Sequence, residues 1–208
     1  MGATTGAARE YGPDEQDEWP RPPAGGWTAD DLDRLPNLPP HTELIDGSLV
    51  PPSPRTRFHA SAMRLLEVEL LAQAPDHVEP LREMTVRLDR HNRLEPDVLV
   101  VSVEADTGPR QTWFQPEDVV LAVEVVSDDS VVRDRDVKPR KYAAAGVPHF
   151  WRVESDGGLP VVYIYELDPA GGTYALTGIH REQLKTAVPF ALDIDLTAVG
   201  RRPPGLRR

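Results

Sequence analysis

Val119-Val120-Leu121-Ala122-Val123-Glu124-Val125-Val126 is an apolar run interrupted by one carboxylate. A run this short and this apolar reads as a strand covered on both faces, and such strands lie centrally in a sheet. Strand alternation puts Val119, Leu121, Val123 and Val125 on one face, and Val120, Ala122, Glu124 and Val126 on the other. An ionised carboxylate in that setting is costly unless it is paired or binds a metal. A second run, Val98-Leu99-Val100-Val101, is entered directly from Pro96-Asp97. If the two strands are neighbours, Asp97 and Glu124 converge at one place on the sheet. Paired carboxylates suit a hard divalent cation and have the geometry for metal-activated water. Taken singly, Asp97 also reads as a strand-start residue that accepts from backbone amides, and Glu124 as a structural ion-pair partner. The two together favour a site.

Outward from these strands the pattern is α/β. Arg57 to Ala74 has helical periodicity, with Met63, Leu66, Leu70 and Ala74 on one face and His59 at its head, and Pro75 ends it. Asp46-Gly47 between short apolar runs predicts a two-residue hairpin. Thr28-Ala29-Asp30-Asp31 predicts a capping box opening a short helix stopped by Pro36. Glu79 to Leu88 predicts one strand. Tyr142 to Ala145 predicts a helix capped by Gly146. Strands are predicted at His149 to Val153, at Val161 to Leu167 and, on the edge, at Thr173 to Thr177. Trp151 reads as core. Residues 1–26 read as a disordered tail, 27–199 as one domain and 200–208 as a short basic tail.

The chain has 208 residues, enough for one domain with a real core, and no cysteine, which excludes disulfides, thiolate metal sites and cysteine nucleophiles. That usage, with no apolar run long enough to span a membrane and no secretory pattern at the start, predicts a cytoplasmic protein. The formal net charge of -11 argues against a protein that coats nucleic acid non-specifically. It leaves room for a metal-dependent nuclease, because bound cations offset clustered carboxylates locally.

Several short motifs occur in a telling order: Glu43-Leu44-Ile45-Asp46-Gly47, Pro52-Ser53-Pro54, His59, Pro96-Asp97-Val98, Glu124-Val125-Val126-Ser127, Asp134 then Lys138 then Tyr142, Gly146-Val147-Pro148 and Phe150-Trp151. In this combination the chain resembles the Uma-type family of restriction endonucleases, within the PD-(D/E)XK nuclease superfamily, over roughly residues 38–196. No one motif is specific; the ordered set is. The resemblance implies a restriction-endonuclease-like fold, a mixed central sheet flanked by helices, and metal-dependent phosphodiester cleavage using Mg²⁺ or Mn²⁺. It implies nucleic acid, DNA first, as the partner, and accommodates a homodimer that cuts both strands.

Carried over by position, the resemblance makes Asp97 and Glu124 metal ligands and Lys138 the lysine that orients water and stabilises developing negative charge. Glu43 is a further acidic ligand, held directly or through water. His59, Asp134 and Tyr142 are auxiliary; Asp134 would position Lys138, and Tyr142 reads as packing with a tethered hydroxyl. The superfamily places a lysine two residues after the acid, but Val126 stands there. Pro139 directly follows Lys138 and predicts a helix beginning only at the proline, with Lys138 at its cap, Asp134 outside the helix and Lys141 as a substitute. The absent lysine and the acidic charge support a second reading, a catalytically inactive nuclease-fold module that binds or regulates. A basic rim of Arg55, Arg57, Arg82, Arg87, Arg133, Arg135 and Arg140 around the acidic cluster would favour the nuclease.

Overall fold

The computed structural model describes residues 19–201, so the outer parts of both predicted tails, 1–18 and 202–208, lie outside the described residues. Asp46 and Gly47 take left-handed backbone angles, φ 49° and 74°, and close the predicted hairpin between β1 (Glu43–Ile45) and β2 (Ser48–Val50). α1 (Arg57–Gln73) starts at Thr56, whose hydroxyl accepts from the His59 amide, and gives way at Ala74 before Pro75.

Glu79 to Leu88 is two strands, β3 (Val78–Arg82) and β4 (Thr85–Asp89), in different sheets. Glu83 between them has φ 57°, a left-handed residue that turns the chain out of the first sheet and into the second. The alternation of apolar residues reads through the break, so periodicity alone misses it. Residues 28–36 form successive turns and no helix. The cap exists, with the Thr28 amide and hydroxyl both donating to Asp31 Oδ2. Too few residues precede Pro36 to repay helix nucleation.

β5 (Asn92–Leu94) and β6 (Val98–Ser102) follow, then the short β7 (Trp113–Phe114) and β8 (Val119–Val125). The order β2-β1-β5-β4-β7 makes one sheet. β9 (His149–Asp156), β10 (Leu159–Asp168) and β11 (Thr173–His180) complete a six-stranded sheet, ordered β11-β10-β9-β8-β6-β3, with β11 at one edge as expected. The β8–β9 pair is parallel and the others in this sheet are antiparallel, so the sheet is mixed. β12 (Gln183–Thr186) and β13 (Leu192–Asp195) pair separately.

Both faces of the six-stranded sheet are covered, as the apolar runs require. Ala62, Met63, Leu66 and Leu70 of α1 pack on Val98, Val100, Leu121, Val123 and Trp151. Across the sheet, Leu99, Ala122 and Phe150 pack with Tyr142 and with Ile45, Val86 and Leu94 of the five-stranded sheet. A register shift opposite Val100 and Val101 exchanges the first residues of β8, so Val119 joins the second core and Val120 packs against the first. From Leu121 onward the predicted faces hold.

The chain reaches α2 (Lys138–Ala144) through a π-helical turn over Arg133–Val137, in which the Lys138 amide donates to the Arg133 carbonyl. Lys138 has φ -63° and ψ -46°, inside a continuous helical path, and is not a cap. The α-helix begins beside the proline as expected, with Pro139 in its first turn, but the π turn before it extends the helical path, so Lys138 does not cap it and Asp134 stays one turn from Lys138. Gly146, at φ 86°, ends the helix.

Candidate active site

The antiparallel pairing of Val98 with Val123 continues outward to Asp97 and Glu124, so the two carboxylates stand opposite each other at the ends of β6 and β8. Both are buried. Asp97 Oδ2 accepts from the Val125 amide at 2.7 Å, and Asp97 Oδ1 lies 2.9 Å from His59 Nε2. The modest reading of Asp97 as an acceptor for backbone amides therefore holds alongside its place in the cluster. Glu124 Oε2 accepts from Lys138 Nζ at 2.9 Å, and its Oε1 from the Tyr142 hydroxyl at 2.8 Å.

Lys138 gathers the remaining acids. Its ammonium lies 3.0 Å from Glu43 Oε1 on β1 and 3.6 Å from Asp134 Oδ1 one turn back. Glu43 is fixed by the Glu95 amide, which donates to it at 2.8 Å. The Ser130 hydroxyl donates to Asp134 Oδ2 and sits 2.9 Å from the Ser127 hydroxyl. All seven residues named from the sequence, Glu43, His59, Asp97, Glu124, Asp134, Lys138 and Tyr142, are therefore in one buried network. Lys141 is not a substitute lysine; its ammonium pairs with Asp46 at 2.6 Å. Tyr142 stacks on Phe150, with ring centroids 5.9 Å apart, while its hydroxyl holds Glu124.

Burial and mutual repulsion dominate the electrostatics. Desolvation raises Asp97 to about 7 against the attraction of Lys138, and raises Glu124 well above the usual carboxylate range. Asp134 is raised for the same reason. Burial alone would lower Lys138, but Glu124, Glu43 and Asp134 outweigh it and hold the ammonium firmly charged. Burial depresses His59 to about 4, so the imidazole is neutral near pH 7, with Nε2 in hydrogen-bond contact with Asp97. Asp134 Oδ1 and His59 Nδ1 are buried without a hydrogen-bond partner. Four carboxylates thus share one permanent cation, one carboxylate oxygen is unsatisfied, and every acidic donor is oxygen. Oxygen donors of this kind suit a hard divalent cation, but among the described residues no three of these carboxylates bring donor atoms within 4.8 Å of one another, and the Lys138 ammonium stands between Glu43 and Glu124.

A cavity of about 60 Å³ opens over Asp97, Glu124, Asp134 and Lys138. Of the predicted rim, Arg55 and Arg133 line it, Arg55 paired with Glu83 and Arg133 donating to the Ser53 hydroxyl at 2.9 Å. The others named are engaged elsewhere where a partner is resolved: Arg82 with Glu67 and Glu83, Arg87 with Asp30, Arg135 with Glu154, Arg140 with Asp136. Sequence reasoning did not find Ser127, Ser130, His41 or Glu95 among the lining residues. Ser127 and Ser130 carried a usable signal, hydroxyls spaced as a turn between the acidic strand and Asp134. His41 carried none.

Over residues 29–198 the sequence matches the Uma2 family, described as putative restriction endonuclease. The chain belongs to the Uma2 family. No curated protein matches it. Its fold is similar to the crystal structure of a putative nuclease of DUF820 from Anabaena variabilis, with a TM-score of 0.62 and 16% sequence identity, covering 83% of this chain and 96% of that one. At that identity the likeness speaks for the fold, which is the restriction-endonuclease-like α/β architecture expected from the Uma2 motifs.

Proposed function

We propose that this Uma2 protein is a divalent-metal-dependent endonuclease that hydrolyses phosphodiester bonds of DNA, with Asp97, Glu124 and Glu43 as the ligands of Mg²⁺ or Mn²⁺. The observation that carries the reading is the buried assembly of Glu43, Asp97, Glu124 and Asp134 around the Lys138 ammonium, opening to the surface through one cavity. Family membership and the nuclease title of the structural relative support it.

When bound, the cation supplies Lewis acidity and charge neutralisation at the phosphate. The chain's own residues hold and orient. His59 and the Val125 amide fix both oxygens of Asp97, and Tyr142 fixes Glu124. Lys138 takes the place of the superfamily lysine from a helix instead of from position 126. Its Nζ donates toward a water or a phosphate oxygen above Glu124 and stabilises the negative charge that develops there. Asp134, anchored by Ser130, keeps that ammonium in place. Arg55 and Arg133 at the mouth supply charge-assisted contacts for the flanking phosphates. Cutting both strands would call for a homodimer. Among the described residues no helix is long and apolar enough to cross a membrane, and the cytoplasm remains the proposed compartment.

The test is calorimetric titration with Mg²⁺ and Mn²⁺, with and without duplex oligonucleotide, for the wild type and for Asp97→Ala and Glu124→Ala, followed by plasmid cleavage. Binding and cleavage lost in both variants is the expected result. A folded wild type that binds neither ion even with nucleic acid present would overturn the nuclease reading and leave the inactive module. Val126 in the usual lysine position favours that module.

A further inference from the structure

Beside the catalytic network, three side chains that belong to none of its ligand positions converge from three separate segments. His41 comes from the turn before β1, Glu83 from the break between β3 and β4, and Glu95 from the end of β5. One donor atom from each, an imidazole nitrogen and two carboxylate oxygens, lies within 4.8 Å of the others. Among the described residues no other group of three metal-ligating side chains converges in this way. His41 and Glu95 line the catalytic cavity, and all three residues line the groove on its other side. The trio therefore forms a wall between the two, reachable from solvent with coordination positions left open.

We propose that His41, Glu83 and Glu95 form a second metal site, selective for a transition ion of the Zn²⁺ class. The donor set decides the class. Imidazole suits Zn²⁺ and related ions, whereas Mg²⁺ prefers oxygen and keeps its waters. Ligands at ordinary metal–nitrogen and metal–oxygen distances of about 2.0–2.2 Å lie closer together than 4.8 Å, so a modest rotation of the half-exposed His41 and of Glu83 closes the set. An ion here has to compete for Glu83 with the Arg55 guanidinium, which reaches it, and with Arg82, which approaches it at 3.3 Å. The Glu95 side chain is 10% exposed, and its resolved side-chain partner is His41 itself. An ion here would fasten the β3–β4 break to the loop before β1. It would also neutralise the two carboxylates on that wall of the cavity, which a phosphate-bearing ligand entering the cavity must pass.

The site does not rest on the nuclease reading, and its test separates the two. Zn²⁺ is titrated calorimetrically into the full chain, and Co²⁺ is followed by its visible absorption. The wild type is compared with His41→Ala, with Glu83→Gln, and with the double variant Asp97→Asn/Glu124→Gln. Circular dichroism melts without metal establish that each variant is folded. Zn²⁺ binding that survives in the double variant and weakens at least tenfold in both His41→Ala and Glu83→Gln supports the site. Binding absent from the wild type, binding unchanged in a folded His41→Ala, or binding lost in the double variant overturns it. Those outcomes mean, respectively, an ion-pair network only, a site elsewhere, or capture of Zn²⁺ by the catalytic acids.

Discussion

Asp97 concentrates the electrostatics of this fold in one carboxyl group. Its ordinary value is 3.8, and burial raises it to about 7 in the folded chain. Below 3.8 both states hold the proton. Between 3.8 and about 7 the unfolded chain releases a proton that the folded chain keeps, so stability falls as pH rises through that window and levels off above it. His59, lowered to about 4, acts in the opposite sense, costing stability as pH falls below 6.5. Urea unfolding of metal-free wild type and Asp97→Asn at pH 4, 6 and 8 isolates the first effect. Relative to the wild type, the variant should gain about 2–4 kcal/mol between the lowest and highest pH. A constant difference would mean that Asp97 is not held protonated. Lys138 gives the complementary case. Lys138→Met removes the cation shared by Glu124, Glu43 and Asp134. It should cost about 3–5 kcal/mol at pH 8, as expected for a broken buried pair, and less at pH 5, where the folded chain more readily protonates Glu124 and Asp134. The same urea experiment measures it.

The hairpin between β1 and β2 delivers Glu43 to the site, and it depends on Gly47. That glycine has φ 74°, and an added Cβ would stand 3.2 Å from Gly26 Cα and 3.4 Å from the Trp27 carbonyl oxygen, backbone atoms that cannot yield easily. Gly47→Ala should therefore destabilise the fold by about 1–3 kcal/mol, read as a lowered midpoint in thermal or urea unfolding. Because the displaced hairpin carries Glu43, divalent-cation affinity should fall as well. This hairpin, α1 and the two apolar strands are legible in the sequence because each depends on local chemistry: Asp-Gly in a tight turn, the helical spacing of Met63, Leu66 and Leu70, aliphatic runs in a doubly covered sheet. The failures are places where a neighbour overrides local preference. Glu83 redirects a strand without a glycine to signal it, and a π turn before α2 carries Lys138 into a helical path where a cap was expected. The site was readable for a different reason. The Glu124 carboxylate is out of place in its apolar run, and that shows in one dimension, whereas Lys138 stands among other charges and is picked out only by its position in the ordered family motifs. His41 and Glu95 meet across 54 positions, and only the fold discloses it.

At the scale of the whole molecule the net charge of -11 stands against a polyanionic ligand. The resolution offered by the structure is local. The six-stranded sheet supplies Asp97 and Glu124, the five-stranded sheet supplies Glu43, and of the proposed basic rim Arg55 and Arg133 line the cavity where the sheets meet. On the proposed function, few phosphates could be neutralised by side chains, and a bound cation would have to supply most of the attraction. This has a measurable signature. If two arginines displace counterions from duplex DNA, the logarithm of affinity should fall against the logarithm of salt with a slope of about -1.8, or roughly tenfold between 50 and 200 mM. A protein making many phosphate contacts loses about 10³–10⁵ over the same range. Fluorescence anisotropy with a labelled duplex, with Ca²⁺ as a divalent ion to hold the complex, gives both the slope and its dependence on the ion. Binding should be shallow in salt and strongly weakened by chelation. Arg133→Ala should flatten the slope by about one half, since one of the two neutralising charges is removed. A steep slope that persists after chelation would place the DNA on a basic surface away from this cavity. Asp97 and Glu124 would then have no phosphate to act on.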